Sequence, residues 1–352
     1  MNGLLNYPAG GNAGSGATSA FGHHWLGVPQ PGCWVIPRRI FILAVWLLWG
    51  CGVGMTVSGS GQGVPKAQSL KFGWRAPLTF RVEETAERRG TTNKLLHTFS
   101  FTQTNGEYLL GWTDVKFLVV NGEPLNRIEQ QKAVAPARSM FLANPPMRIS
   151  VAGEFLGSLH TREAIEEINR QLDRAFPERP EGVRQFYKKM AENPEGQKLA
   201  DMALSQRYWT TWVEAWEGLG LGTGKCVTNS SMASLGQQQF PVRCVFLNSG
   251  SPPHGSREVL LRFEQTASGK EVGRGLMAFL DGLSNAAGRK AEQPFPEITN
   301  ATYFVSLEVQ TDPSTLQPSW AKRTVRMAMD NPEAGKVDVH ESYEFKFLWG
   351  DR

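Results

Sequence analysis

The feature that most constrains this chain is a period of two in the placement of its apolar side chains. In PLTFRVEETAERRG, Leu78, Phe80 and Val82 alternate with polar residues, which predicts a strand with one buried and one solvated face. The following LHTFSFTQTNGEYLLGWTDVKFLVVNGEPL places β-like runs around Asn105-Gly106, a dipeptide typical of tight hairpin turns, and ends at a second such turn, Asn121-Gly122. This part of the chain therefore predicts antiparallel hairpins.

Further strand patterns follow along the chain. They cover MRISVAGEFLGSL near 147–159, then 225–234, 240–248 and 257–267, and continue with ATYFVSLEVQ and AKRTVRMAMD on either side of Asp312-Pro313. The last pattern is KVDVHESYEFKFLW, which alternates Val337, Val339, Glu341, Tyr343, Phe345 and Phe347. The part of the chain after residue 67 thus begins and ends with strand patterns.

Helical patterns lie between these strands. In TREAIEEINRQLDRAF, Thr161 is a good N-cap residue and Ile165, Ile168 and Leu172 recur on one face with Phe176, which predicts an amphipathic helix. Further helices are predicted over 182–191 and about 195–217. KEVGRGLMAFLDGLSN predicts another helix, with Val272, Leu276, Phe279 and Leu283 on one side.

Together these patterns predict a single α+β body over 68–350. We expect a curved, mostly antiparallel sheet built from both ends of the chain, with a helical insertion at 161–217 packed against it. The chain has 352 residues, of which 41% are apolar and 20% charged, so it can bury a sizeable core.

The segment RRIFILAVWLLWGCGVG has a different character, because two arginines precede an uncharged apolar run. Residues 38–57 are typical of a secretory signal or of a short membrane anchor. Both interpretations place the rest of the chain outside the cytoplasm, membrane-anchored or in a periplasmic or secreted form. A buried core segment is the third alternative.

The same segment contains LWGC, which fits the lipobox that precedes a lipidated cysteine in bacterial lipoproteins. Leu48, Gly50 and Cys51 match, whereas Trp49 is bulkier than the usual small residue, and the match predicts lipidation at Cys51. Residues 1–37 are predicted to be a disordered tail or to precede a later true start. Residues 58–67 are predicted to be a flexible Gly/Ser-type linker.

Charge and motifs exclude several function classes. The formal net charge is +4 without clustered Lys and Arg, so no nucleic acid is expected as a partner. The histidines show no metal-ligand spacing, no GxSxG or P-loop sequence is present, and acid–base pairs cannot be identified. We therefore predict no catalytic residue, no metal and no cofactor, and a protein that is not an enzyme.

Two cysteines lie in the predicted body, at Cys226 and Cys244. If the surrounding segments form a hairpin centred near Leu235, the two residues lie opposite each other on adjacent strands. In an oxidising compartment this placement favours a disulfide, with a pair of buried free thiols as the alternative.

The segment YWTTWVEAWEGLG carries three tryptophans at a helical spacing. Trp209, Trp212 and Trp216 recur at i, i+3 and i+7 and would form one stripe on a helix. Such a stripe is typical of a helix packed on a sheet. The sharper hypothesis is that the three indoles form the wall of an apolar ligand-binding cavity between helices and sheet.

The chain resembles bacterial envelope lipoproteins in three features. These are LWGC, the hairpin-rich N-terminal half and the closing TDPSTLQPSWAKRTVRMAMD. It is also similar, over 72–120 and 300–348, to LolA/LprG-type half-barrel carriers, in which a curved antiparallel sheet wraps helices around an acyl-chain cavity. The resemblance implies a membrane-tethered, non-enzymatic protein that binds a lipid or another hydrophobic small molecule. The alternative is a structural or protein-interaction module of the cell envelope that uses sheet edges or the aromatic stripe.

Overall fold

The structure is a computed structural model that describes residues 69–88, 90–235, 238–251, 257–277, 298, 301–331 and 335–350. The predicted tail, the signal or anchor at 38–57, the lipidated Cys51 and the linker lie outside the described residues. Phe279 and Leu283, two residues of the predicted helix near 270–285, also lie outside them.

Within the described residues, twelve strands form one sheet in which every pairing is antiparallel. The strands are β1 Leu78–Arg88, β2 Thr91–Thr104, β3 Glu107–Val120, β4 Glu123–Pro124, β5 Met147–Ile149, β6 Phe155–Ser158, β7 Cys226–Leu235, β8 Gln238–Gly250, β9 Val259–Ser268, β10 Ala301–Thr311, β11 Pro318–Asn331 and β12 Gly335–Trp349. Their order across the sheet is β6-β5-β3-β2-β1-β12-β11-β10-β9-β8-β7, and β4 pairs with β3.

The sheet is open and curved, which confirms the predicted fold class. The first described strand, β1, pairs with the last one, β12, so these two strands meet in the middle of the sheet. The predicted turn at Asn105-Gly106 joins β2 to β3. Both of its residues have a positive φ, as a two-residue hairpin loop that matches the strand twist requires.

Helices occupy the connections after β4 and β6. They are α1 Ile128–Ala133, α2 Ala135–Leu142, α3 Thr161–Ala175, α4 Glu181–Glu192, α5 Pro194–Asp201 and α6 Arg207–Trp209, with π-helical segments at Met202–Gln206 and Thr210–Glu214. A further helical segment, α7, covers 270–277 between β9 and β10. The sequence analysis did not predict α1 and α2.

The start of α3 differs from its prediction. His160, in the left-handed conformation, is the N-cap residue, and Thr161 is the first helical residue. The Thr161 hydroxyl donates instead to Asp201 Oδ1 at 2.5 Å, which ties the start of α3 to the end of α5. The predicted apolar face of α3 is present, because Ile165, Ile168 and Leu172 are buried.

One face of the sheet, here called the inner face, carries the core. On most of the long strands, alternate side chains point to it and are buried, as Phe80 and Val82 do on β1 and Phe345 and Phe347 do on β12. A single apolar cluster extends over this face from β3 to β8 and includes side chains of the helix that ends at Glu214. The opposite face of the sheet is largely solvated.

Among the helices of the described residues, none combines the length and the apolar character that a membrane span needs.

Candidate functional site

Several polar side chains of the largely apolar inner face lie together in one band beneath α6. We call this group the polar band, and it consists of Glu84 and Arg88 on β1, His97 on β2, Arg207 and Tyr208 on α6, Arg323 on β11, and Glu341 and Tyr343 on β12. Buried charges cost free energy unless they are paired or hydrogen-bonded, so the partners within this band decide what it can do.

The first part of the polar band centres on Glu84. Its Oε2 atom lies 2.9 Å from His97 Nε2 and accepts a hydrogen bond from the Tyr208 hydroxyl at 3.2 Å. Glu84 is 3% exposed and His97 is 1% exposed, so water does not screen this pair. Because Tyr208 belongs to α6, the carboxylate of β1 links the helical cover to the sheet.

The second part centres on Glu341. The Tyr343 hydroxyl donates to Glu341 Oε2 at 2.6 Å, and Arg88 Nε lies 3.4 Å from Glu341 Oε1. Arg88 also donates from Nη2 to the Tyr343 hydroxyl, and its guanidinium carbon lies 5.0 Å from the centre of the Tyr343 ring. This carboxylate therefore has a cation and a hydroxyl as partners.

Two further arginines lie against the same tyrosines. The Arg207 guanidinium carbon is 4.8 Å from the centre of the Tyr208 ring and 5.6 Å from that of Tyr343, and its Nη2 donates to the Tyr208 hydroxyl at 3.1 Å. Arg323 is 6% exposed and is the cross-strand partner of Tyr343. Tyr343 thus lies between cations from the helix and from the sheet.

The local sequence explains how Arg207 and Tyr208 reach the sheet. Asn193 caps α5, because its side chain accepts from the backbone N–H of Glu195, and Pro194 occupies the first helical position. The π-helical segments before and after α6 change the direction in which successive side chains point, and such segments occur frequently at functional sites.

The charges of the polar band shift several pKa values. Burial alone would raise the pKa of Glu84, but the hydrogen bond and charge of His97, together with Arg207 and Arg88, outweigh it and leave the pKa below its usual value. Burial raises the pKa of Tyr343 to about 12. Burial also lowers the pKa of Arg323, and the charge of Arg207 acts in the same direction. Perturbed groups of this kind cluster at functional sites.

This arrangement is suited to holding charge in a dry environment. His97 and Glu84 lie too deep for a substrate to reach them in the described conformation, whereas Arg207 is partly exposed. Within the described residues, no three His, Cys, Asp or Glu side chains are placed so that they could hold a metal ion. The chemistry that the band offers is therefore hydrogen bonding and charge complementarity to a bound group.

The predicted tryptophan stripe lies next to the polar band. Trp209, Trp212 and Trp216 are each 0% exposed and belong to the apolar cluster. The Trp212 ring contacts Phe99 and Phe347, with centroids 5.4 and 5.1 Å away, while Trp209 Nε1 donates to the Gly153 carbonyl at 2.7 Å. The indoles therefore form part of the packing between helix and sheet, and their role in contacting a ligand stays a prediction.

The predicted disulfide between Cys226 and Cys244 is absent, and both thiols are free. The hairpin pairs Leu235 with Gln238, so its centre lies beyond Leu235, and Cys244 faces Asn229 while Cys226 faces Leu247. Cys226 is exposed and Cys244 is buried. A shift of the hairpin centre was enough to separate residues that the sequence placed opposite each other.

The sequence analysis missed every member of the polar band as a functional residue. A signal was present, because three of the strand residues occupy positions whose neighbours two places away are aliphatic or aromatic. Glu341 does so between Val339 and Tyr343, His97 between Leu95 and Phe99, and Arg323 between Ala321 and Val325. A charged residue at an inward position of a strand is informative, because such a charge must find a partner.

No protein-family model matches this chain, and no curated protein matches it. A structural search finds a solved structure of lipovitellin, described in terms of its lipid–protein interactions, with a TM-score of 0.37 and 7% sequence identity. The match covers 79% of this chain and 26% of the lipovitellin chain.

Proposed function

We propose that this protein is an exported, membrane-tethered, non-enzymatic protein that binds a lipid or another hydrophobic ligand between the inner face and the helices. The observation that carries the proposal is the composition of that layer, which is mostly apolar and aromatic, while the buried charged side chains of the described strands are gathered in the polar band. Ligand sites commonly combine a mostly apolar lining with a few convergent polar groups and perturbed pKa values.

The dimensions of the two layers support the proposal. Eleven strands in series at about 4.8 Å spacing span roughly 48 Å, whereas a helix with its side chains is only about 10–12 Å across. The helix that ends at Glu214 contacts β6, β10 and β11. A curved sheet that is wider than its helical cover is suited to enclose an apolar chain between the two layers.

An uncharged fluorescent hydrophobe, N-phenyl-1-naphthylamine, tests binding to the purified full chain, and native mass spectrometry tests for co-purified lipid. Val305→Trp adds bulk to the inner face of β10, and Thr302→Trp adds the same indole to the exposed face of that strand. We expect uptake by the wild type and Thr302→Trp, and reduced uptake by Val305→Trp. A full chain that carries no lipid and takes up no probe would contradict the proposal.

The tether is a separate part of the proposal and rests on Arg38, Arg39 and the lipobox-like LWGC. The intact mass of the protein from its native host tests it directly. We expect a chain that begins at Cys51 and carries a diacylglycerol. An unprocessed chain in the cytosolic fraction would refute export.

The alternative, an interaction module of the cell envelope, draws support from β7. This strand is ten residues long and lies at one end of the strand order, and Val227 and Met232 on it are exposed. Long edge strands can accept a further strand from a partner. Ser230→Pro removes a backbone donor from this strand, and a loss of partner binding with unchanged probe uptake would favour the alternative.

A further inference from the structure

The segment that precedes β1 is fastened to one end of the sheet. We call residues 69–77 the strap, and we call the end of the sheet at which β1 begins the entry end. Because neighbouring strands are antiparallel, β12 ends at the entry end and β11 begins there. The Leu70 N–H donates to the Leu219 carbonyl at 3.2 Å, and the Leu70 carbonyl accepts from the Gly218 N–H at 2.9 Å. The strap therefore pairs with the connection that leads into β7.

Side chains of the strap fix it to two further turns of the entry end. Trp74 is 2% exposed, and its Nε1 donates to the Leu316 carbonyl at 3.0 Å, in the turn between β10 and β11. Phe72 lies against Gly153, in the turn between β5 and β6, where an added Cβ atom would be 2.6 Å from the Phe72 Cβ atom. These contacts fix the place at which the chain enters the body.

The entry end carries much of the exposed apolar surface of the described residues. Seven large apolar side chains there are exposed, and four of the seven lie at the entry end. They are Val151, which is 61% exposed in the turn between β5 and β6, Leu156 on β6, Val227 near the start of β7 and Leu348 near the end of β12. Exposed apolar surface that collects in one region marks a site of protein or membrane interaction.

The exposed charges of the entry end are mostly basic. The exposed cations are Lys71 and Arg75 on the strap, Lys225 just before β7 and Arg257 just before β9. Among the described acidic side chains of this end, only Glu154 is exposed. The complementary partner for such a surface is therefore anionic.

The position of the predicted lipid anchor favours contact at the same end. Residues 52–68 connect Cys51 to the strap, and a Gly/Ser-rich coil of that length has an end-to-end distance of about 20–25 Å. β12 is 15 residues long, so the opposite end of the sheet lies about 50 Å away from the entry end. A membrane that holds Cys51 is therefore closer to the entry end than to the opposite end.

We propose that the entry end docks on the surface of an anionic phospholipid bilayer, through Lys71 and Arg75 of the strap and through Val151 in the turn beside it. This inference rests on the tether of the proposed function and adds the orientation of the body on the membrane. Basic side chains near anionic headgroups strengthen membrane association, and an exposed apolar side chain adds to it by entering the headgroup boundary. The long strands then run away from the membrane.

Hydrogen–deuterium exchange of the full chain, purified from its native host and reconstituted into vesicles, tests the docking. Vesicles of phosphatidylcholine alone are compared with vesicles that also contain phosphatidylglycerol. We expect the backbone amides of the strap and of residues 150–154 to exchange about fivefold or more slowly on the anionic vesicles, the factor that one basic side chain near such a surface implies. The turn at Asn121-Gly122, which follows β3 at the opposite end, should exchange equally on both.

Variants assign the effect to the strap and its neighbouring turn. Lys71→Gln combined with Arg75→Gln should remove the difference in exchange between the two kinds of vesicle. Lys116→Gln combined with Lys336→Gln is the matched control, because these lysines are exposed and lie away from the entry end. Val151→Ser should remove part of the slowing, because the two cations remain. Any loosening of the strap by a substitution affects both kinds of vesicle and cancels in the comparison.

The outcomes separate this inference from the proposed function. Equal exchange on the two kinds of vesicle, in a chain that stays attached to both, would overturn the docking and leave the tether intact. Equal slowing at Asn121-Gly122 would overturn the proposed orientation, and an unchanged slowing in the Lys71 and Arg75 variant would overturn the role of the strap. If the chain does not stay with vesicles at all, the tether fails and the inference fails with it.

Discussion

Two charge networks in this molecule use similar groups in opposite environments. On the helices, Asp173 contacts Arg179 and Arg184 at 2.9 and 2.6 Å, with its side chain 42% exposed. On the inner face, Glu84 contacts His97 and Tyr208 with almost no exposure. Both carboxyl groups have a lowered pKa, but for different reasons.

For Asp173, the hydrogen bond from Arg179 is the largest influence on the pKa and lowers it, and desolvation, which raises it, comes second. For Glu84, desolvation is the largest influence and would raise the pKa, so His97, Arg207 and Arg88 must overcome it. The two pKa values therefore shift in the same direction, but the loss of a partner has different energetic consequences at the two sites. Removing a partner at the surface returns a group to water, whereas removing one inside leaves an uncompensated charge.

The largest expected effect comes from Glu84→Gln. Loss of this buried carboxylate leaves the neighbouring arginines with less counter-charge, and breaking a buried pair typically costs about 3–5 kcal/mol. Chemical denaturation followed by circular dichroism measures the free energy of unfolding. Glu83→Gln is the control, because the adjacent Glu83 pairs with Lys94 on the solvated face. Equal losses in the two variants would show that burial does not distinguish the networks.

A smaller effect is expected from Tyr208→Phe, which removes one hydroxyl between Glu84 and Arg207. We expect a loss of about 1–3 kcal/mol in the free energy of unfolding, because Glu84 and Arg207 each lose a hydrogen bond in a buried place. Tyr187→Phe is the matched control, since the Tyr187 hydroxyl makes no hydrogen bond within the described residues. An unchanged free energy of unfolding in Tyr208→Phe would show that the hydroxyl does not link α6 to the sheet.

The pH dependence separates the two kinds of buried carboxyl group. The pKa of Glu84 is lowered, so its contribution to stability is present above its unfolded pKa of about 4.5 and is lost as the pH falls through the lower folded value. Burial raises the pKa of Asp201, so the favourable contribution of this group is present below its unfolded pKa and is lost as the pH rises through the folded one.

Unfolding measured from pH 3 to about 7 should show these opposite signs. As the pH rises, the free energy of unfolding of the wild type should increase relative to that of Glu84→Gln. Over the same range, that of Asp201→Asn should increase relative to the wild type. These pH-dependent changes in the free energy of unfolding should be smaller than the total loss caused by Glu84→Gln. A pKa shift measures only how differently the protein interacts with the protonated and the ionised form of one group. Parallel curves for the three proteins would contradict both assignments.

The smallest effect is expected at the surface network. Asp173→Asn should reduce the free energy of unfolding by about 1 kcal/mol or less, because the Asp173 carboxylate is partly exposed and Arg179 keeps its hydrogen bonds to Asn169. Adding salt should shrink the difference between this variant and wild type while leaving the effect of Glu84→Gln nearly unchanged. A salt-sensitive Glu84→Gln effect would mean that water reaches the inner network.

Much of the fold could be predicted because its signals are local. The alternation of Leu78, Phe80 and Val82, the turn at Asn105-Gly106 and the apolar face of α3 each depend on neighbours within a few residues. The short helices α1 and α2 were missed. The position opposite Cys226 was assigned wrongly to Cys244, because the register of three strands fixes the centre of this hairpin.

The candidate site was harder to predict for the same reason. Tyr208 bonds Glu84 from 124 residues away, and Arg88 bonds Tyr343 from 255 residues away. No spacing rule connects residues so distant. The inward position of Glu341 was visible in the strand pattern, but only the folded chain shows that Arg88 and Tyr343 are its partners.

The sequence by itself determined the strands, most of the helices and the side of each strand that faces the core, because the two backbone periodicities fix these locally. The tertiary structure alone decided which charges share the interior, that the two cysteines do not pair and that Arg88 and Tyr343 contact Glu341. The reason is that strand order and helix docking bring together residues whose separation along the chain carries no information about their distance in space.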